Sequence, residues 1–416
     1  VDSVEYHRDN VLRGADDHPG AALAYYGSRG ETPPEWGGAL ASRLGLAGRV
    51  TDDSYDAVFG AGGAVDPHMG TRMVRTRRPG VELVVSAHKS VAVLGVIGEV
   101  DAMHEIVDAE TDATLAFLDS WFARQGGRRG RSQTRTATSG LLWARTRHLT
   151  TRAADPEPHD HVLIANLTEM LDARGGWKAL DTGGLRDPVH AATMVGRLAA
   201  AEKAVELGFA IEPDPGPSGK LGHWRLAGIP QPVMDLFSKR SVEIDAAVDA
   251  AGFDGYRARG WAARASRNAK TGEDEPDLWS RWRREMTEAG FDPEELRHRF
   301  ETANRRAAPT PRQLTPVQRV QLAGRLLAVD GPLAERKAFT RADVIRVAAP
   351  LLYGCRVDEL DRVVAEVTNH RDAVPLIGQP GARNRSWAVA SVLDTEDAIA
   401  GCVDRLARRT DAAHCP

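Results

Sequence analysis

Cysteine is nearly absent from this chain. Cys355, Cys402 and Cys415 stand far apart or at the terminus, and no C-x-x-C pair occurs. Such spacing excludes a disulfide framework or a thiolate zinc module. A reducing cytoplasm is the expected compartment, and the abundance of Ala, Gly and Arg suggests a bacterial one. Long apolar runs are missing too: the most apolar stretch, Val81 to Gly98, is broken by Glu82, His88 and Lys89, so no membrane insertion is expected. No signal peptide opens the sequence, which starts on Val1 rather than Met and leaves room for a preceding piece. No G-x-x-x-x-G-K-[ST] loop occurs. Gly216-Pro217-Ser218-Gly219-Lys220 is too short and lacks the following Ser or Thr, which excludes an ATP-driven motor within these residues. There is no internal repeat and no low-complexity tract. Overall basic charge is lacking as well. The net charge is -4, so a polyanionic partner would need positive charge concentrated locally.

What is present is an ordinary globular composition, 42% apolar over 416 residues, enough for two or three domains. A helix over Ser3 to Leu12, a turn-rich stretch and a second helix are expected in the first 50 residues. Residues 81–86 read as a buried strand, Lys89 to Gly98 as a helix start, and Asp101 to Gln125 as an amphipathic helix. Gln133 to His148 and His159 to Leu167 read as strands. Between them, Pro156 and Pro158 disfavour helix and favour a strand-to-strand connection. Asp187 to Leu207 is helical and ends at Gly208, and Gly222 to Leu226 is a further strand. Residues 231–305 are mostly helical and highly charged. The segment PTPRQLTP (309–316) marks a linker, and 317–410 are largely helical.

Three histidines carry the strongest chemical signal. His159 and His161 are two apart on an expected strand, which puts both on one face. His148 ends the preceding strand, and a short antiparallel return brings it alongside. Three neutral imidazoles bind a borderline divalent ion and leave coordination positions open, where a phosphate oxygen can be polarised. Spacing alone leaves a zinc hydrolase and a phosphodiester-cleaving site both open.

The chain has six tyrosines, three of them (Tyr6, Tyr25 and Tyr26) in the first 26 residues. A phenol with a pKa near ~10 is a weak nucleophile at neutral pH and needs a polarised phosphate or a nearby base. Arg124 to Arg152 holds eight arginines, at 124, 128, 129, 131, 135, 145, 147 and 152, with no Asp or Glu. A second cluster is Arg72, Arg75, Arg77 and Arg78. Guanidinium groups fork onto phosphates and stack on bases, and Trp143 within the stretch offers another stacking surface. His148 falls inside the same stretch, which favours a polyanionic substrate over a peptide or small ester.

Together these segments resemble the MobF-type conjugative relaxases, the TrwC/TraI group of the HUH endonuclease class. HLTTRAADPEPHDHVLIANLT (148–168) is similar to the family's three-histidine motif, with Asp160 where the class name has a hydrophobe. VELVVSAHKSVAVL (81–94) resembles its strand and SAPKSVS segment, with His88 replacing the proline. AYYGSRGETPPEWGG (24–38) is similar to a tyrosine-pair segment, and GGWKALD (175–181), FSKRSVEI (237–244) and ASRNAKT (265–271) match later stretches. The resemblance covers about residues 5–300 in the family's order.

It implies an α+β fold: a palm-like antiparallel sheet with flanking helices, then a mostly helical C-terminal region. The implied division is a relaxase domain over 1–305, with 231–305 a DNA-clasping part, a linker over 306–316 and a helical accessory domain over 317–416. The implied activity is metal-dependent, strand-specific nicking of single-stranded and hairpin DNA at a transfer origin, leaving a 5′-phosphotyrosyl link. A rolling-circle replication initiator and a non-catalytic single-stranded DNA-binding module are the alternatives. His148, His159 and His161 take the metal-ligand positions, for Mg²⁺ or Mn²⁺, with Zn²⁺ an alternative. Glu82 stands where the family usually has Asp, to orient a ligand histidine or help deprotonate the tyrosine. The nucleophile is Tyr25 or Tyr6, with Tyr26 third, and motif quality favours Tyr25. DNA contacts are expected from Arg75, Arg77, Lys89, Arg128, Arg129, Arg131, Arg147, Arg152, Lys239, Arg240, Arg267 and Lys270. A type IV secretion coupling protein is the implied partner and a monomer the implied state. The helicase that family members often carry has no counterpart here, and 317–410 resemble the helical segment that precedes it.

Overall fold

The structure is a computed structural model that describes residues 33–125, 127–128, 135–151, 153–180, 186–214, 222–251, 275–376 and 386–412. The expected N-terminal helices lie outside these residues. The described chain starts with β1 (Glu35–Gly37), α1 (Ala39–Arg43) and α2 (Asp52–Phe59). Next come β2 (Gly80–Ser86), α3 (Lys89–Val96) and α4 (Val100–Gln125), then a short ladder of β3 (Gly127–Arg128) with β4 (Arg135–Thr136). β5 (Trp143–Thr150) and β6 (Pro156–Ala165) follow, then β7 (Thr168–Glu169) paired with β8 (Trp177–Lys178), and α5 (Arg186–Glu206). A hairpin of β9 (Ile211–Asp214) and β10 (His223–Leu226) leads to α6 (Gln231–Leu236), α7 (Lys239–Ala251), α8 (Glu275–Glu288) and α9 (Pro293–Ala307). The last part holds α10 (Pro316–Leu326), β11 (Phe339–Thr340), α11 (Arg341–Ala348), α12 (Asp358–Thr368), β12 (Ala373–Pro375), β13 (Ser386–Val389) and α13 (Ala390–Ala412).

The central sheet has the order β1-β5-β6-β2 and is antiparallel throughout. One face carries Val85, Val162 and Ile164 into the core, as period-two alternation requires. Helices α4 and α5 cover that face. On α4, Met103, Ile106, Val107, Leu115, Leu118 and Phe122, with Glu110, Thr111 and Thr114 between them, form one buried stripe at helical spacing, the stripe that docks a helix. The two helices approach closely at Gly196, where a Cβ would sit 2.1 Å from the Thr114 hydroxyl. Helix α5 stops at Gly208, whose φ of 85° suits glycine at a helix C-terminus.

Two departures from the expected strands have local causes. The single strand expected over Gln133 to His148 is split, because Gly140 turns at φ 90° and the Leu141 amide donates to Asp119 on α4. β6 begins at Pro156 rather than His159. β2 ends at Ser86, opposite His159, so residues 156–158 pair on one side only, where missing amide donors are tolerated. The C-terminal region is largely helical, and within it β11, β13 and β12 form a small sheet.

That region has its own core around Phe339, Val363, Val364 and Trp387, yet the same cluster takes in Ala191 and Leu198 from α5. Thr315 starts α10 with a reciprocal capping box to Gln318, and the segment before it is pinned by backbone bonds joining Arg312 to Gly354 and Arg356. No described helix is long and apolar enough to cross a membrane.

Candidate metal centre

His148 on β5 is the direct register partner of His159 on β6, and His161 lies two residues further along the same strand. Paired antiparallel residues share a face, so all three imidazoles stand on the side away from α4 and α5. Their ring centroids are 4.4 to 5.3 Å apart, and one ligating nitrogen from each lies within 4.8 Å of the others. His148 and His159 are buried. Val84, the register partner of His161, is 47% exposed, so the face opens to solvent beside His161.

The hydrogen bonds behind the rings fix their orientation. His161 Nδ1 lies 2.5 Å from Glu82 Oε1, and His159 Nδ1 lies 2.7 Å from the Glu157 carbonyl. Both partners are acceptors, so both Nδ1 atoms carry the proton and both Nε2 atoms present lone pairs. Those two Nε2 atoms are 3.2 Å apart. Facing lone pairs repel unless a cation sits between them. Two nitrogens ~2.1 Å from one ion, at tetrahedral or octahedral angles, lie about 3.0–3.4 Å apart. The residues therefore fit a divalent ion.

Asp160, the residue between the two histidines, points to the other face, as alternation requires. It is fully buried there. Arg147 donates to both of its oxygens, Arg145 to one of them and Thr111 Oγ1 at 2.6 Å. Both arginines also reach Asp108 on α4. Burial pushes the Asp160 carboxyl up, but the hydrogen bonds and charge of Arg147, with the charge of Arg145, outweigh it and hold the group below the usual range. The hydrophobe of the HUH name is thus replaced by a carboxylate with a complete set of partners. Arg147, read from the sequence as a DNA contact, is committed to this network on the helix-covered face. The sequence held the signal: Arg145, Arg147 and Asp160 all alternate out of phase with the histidines.

The other site residues are spread widely. Arg75 and Arg77 are exposed in the segment leading into β2, at the far end of the strand from Ser86. Lys89 donates to the Pro156 carbonyl at 2.9 Å, and burial pulls its ammonium below the ordinary range. Lys239 and Arg240 open α7 beside the loop joining β5 to β6. Arg128 lies in β3, paired by backbone with Arg135. Tyr6, Tyr25, Tyr26, Arg129, Arg131, Arg152, Arg267 and Lys270 lie outside the described residues. Asp155, Asp108 and Thr111 were not singled out in the sequence.

The family model for the TrwC relaxase matches residues 2–289. This chain belongs to the TrwC relaxase family. The multifunctional conjugation protein TraI of Escherichia coli is 30% identical over 347 residues, which make up 77% of this chain and 18% of TraI. The chain thus spans less than a fifth of that relative. Two solved structures of the conjugative relaxase TrwC in complex with OriT DNA, one metal-free and one metal-bound, match with a TM-score of 0.55. They are 27% and 26% identical, and cover 66% of this chain and 96% of theirs. A relaxase fold accounts for the antiparallel sheet, and the histidines occupy the face turned away from α4.

Proposed function

We propose that this chain nicks one strand of transfer-origin DNA by tyrosine transesterification. The observation that carries the reading is the convergence of His148, His159 and His161 on the sheet face turned away from α4, with two Nε2 lone pairs 3.2 Å apart. The two TrwC complexes with OriT DNA, and the metal-bound state of one, support the same substrate and a bound metal; we take that metal to be Mg²⁺ or Mn²⁺, with Zn²⁺ the alternative. A divalent ion held by the three imidazoles supplies Lewis acidity to a phosphate oxygen.

The chain's own part follows from its residues. A tyrosine hydroxyl from the N-terminal segment, Tyr25 first and Tyr6 or Tyr26 as alternatives, attacks phosphorus. The Tyr O–P bond forms, the P–O3′ bond breaks, and the phenolic proton leaves while the 3′ oxygen gains one. Glu82 accepts from His161 and keeps that ring's tautomer, which aims Nε2 at the site. Arg75 and Arg77, both exposed, are proposed phosphate contacts, as are Arg128, Arg129, Arg131, Arg152, Arg240, Arg267 and Lys270. The free thiols Cys355 and Cys402 suit a reducing cytoplasm. A monomer handing DNA to a secretion coupling protein completes the reading.

The test is adduct mapping. The chain is incubated with Mn²⁺ and a pool of single-stranded oligonucleotides tiling the replicon that encodes it, and any tyrosine–DNA peptide is identified by mass spectrometry. An adduct on Tyr25, lost with chelator and in Tyr25→Phe, is expected. An adduct that moves to Tyr6 reassigns the nucleophile, and chelator-insensitive cleavage removes the metal.

A further inference from the structure

The loop that joins the two histidine strands is held from outside the sheet. Thr151 and residues 153–155 are tied together: the Thr151 amide donates to the Asp155 carbonyl, and Thr151 Oγ1 accepts from the amides of Ala153 and Asp155. Among them Ala154 adopts φ 61°, a left-handed conformation that is costly for a residue with a side chain. Its carbonyl accepts from Arg281 Nη2 and Trp282 Nε1 on α8, both at 2.8 Å. Asp155 is fully buried. Lys239 Nζ lies 3.1 Å from its Oδ1 and 2.5 Å from Glu285 Oε1, and the Arg240 amide donates to Oδ2. From the other side, Lys89 donates to the Pro156 carbonyl.

Two lysines that sequence reasoning assigned to DNA therefore face the histidine hairpin. A lysine ammonium bound by two carboxylates is already neutralised, and it has little to gain from a phosphate. The turn sets where β6 begins, and β6 sets His159 against His148.

We propose that Lys239, through Asp155, is a positioning residue of the metal centre rather than a DNA contact. With Lys89 it clamps the turn that holds His148 and His159 in register. This rests on the metal-site reading above. Removing the clamp leaves the buried Asp155 carboxylate short of its cation, and the turn relaxes at the cost of ligand convergence.

The full chain is titrated with Mn²⁺ alone, and DNA binding is measured separately in chelator against salt concentration, using a single-stranded oligonucleotide that the wild type binds. Lys239→Met is expected to weaken Mn²⁺ binding ~10–100-fold, as loss of a partner behind metal ligands does, with Lys239→Arg restoring most of it. The salt slope of DNA binding stays at the wild-type value. In a double-mutant cycle with Asp155→Asn, the second change adds little to the first. Intact Mn²⁺ binding with a slope reduced by about 0.7, one phosphate contact to a single strand, overturns the proposal. Where Lys239→Met does not fold, Asp155→Asn, which keeps the volume and the contact to the Arg240 amide, carries the same expectation. Wild-type chain that fails to bind Mn²⁺ overturns the metal site itself, which separates the two failures.

Discussion

Glu82 on β2 and His161 on β6 meet diagonally across the ladder, with Oε1 and Nδ1 2.5 Å apart. Val84 is the direct partner of His161, so Glu82 reaches along the strand by one side-chain repeat on the same face. The longer glutamate, where relatives are expected to carry aspartate, spans that diagonal. Its carboxylate stands behind the ring and holds its orientation. Glu82→Gln keeps the length but removes the charge, and Mn²⁺ affinity is expected to fall ~10–100-fold, read by titration of the full chain. DNA binding in chelator should be unchanged. A loss of affinity for DNA equal to the loss for Mn²⁺ would assign Glu82 to the DNA surface instead.

The Asp160 network makes a prediction about stability. Asp160→Leu restores a hydrophobe between the histidines but takes from Arg145 and Arg147 their buried partner, leaving them only the more exposed Asp108 and, for Arg145, Asp112. Breaking a buried pair from one side costs about 3–5 kcal/mol, so a loss of that order is expected in urea denaturation. Because the folded pKa of Asp160 is depressed, its contribution is present above the unfolded value of 3.8 and is lost as pH falls through the folded one. The gap between wild type and Asp160→Leu should therefore narrow in acid. A gap constant from pH 7 to pH 2 would mean that packing, not charge, sets it.

The sequence was most legible where a single period governs. The stripe on α4 and the H-x-H alternation on β6 place residues by geometry alone, and Val100–Gln125 and His159 with His161 follow from them. Arg147, expected from the arginine-rich stretch to meet DNA, is turned to the helix-covered face with Asp160 and Asp108, because successive strand residues point to opposite faces. Asp155 and Lys239 are 84 positions apart, and no local pattern reports that α7 lands on the β5–β6 turn. The β9 partner of β10 and the small C-terminal sheet escape the sequence for another reason: their strands of two to four residues carry little periodic signal.

Glu110 on α4 gives a pH-dependent readout. It is buried, its Oε2 has no hydrogen-bond partner among the described residues, and burial pushes its pKa up to about 7 despite the nearby Arg197. The folded state thus holds this proton more tightly than the unfolded chain, whose value is 4.5. Stability from this group is fully present below the unfolded value and is lost as pH rises through about 7. Over that span the loss is on the order of 3 kcal/mol. Glu110→Gln, neutral at every pH, is expected to stabilise the chain at pH 8.5 and to leave it nearly unchanged at pH 5. An equal gain at both values would attribute the effect to shape.

The C-terminal region tests how separable the two halves are. A linker over 306–316 suggests two independent units, but Ala191 and Leu198 of α5 belong to the C-terminal core, and Phe117, Met194 and Val195 pack against it. Val357 also donates its amide to Glu202 of α5 at 2.7 Å. Deleting residues 309–416 uncovers this side of α5, and re-exposing Leu198 alone costs ~2 kcal/mol. With neighbouring apolar surface, a fall of at least ~4 °C in the midpoint of the remaining chain is expected. Leu198→Ala in the full chain should cost ~2–5 kcal/mol. It should also lower both halves together in calorimetry, since both cores use α5. Two independent transitions, with the first unmoved by the deletion, would make 309–416 a separate unit after all.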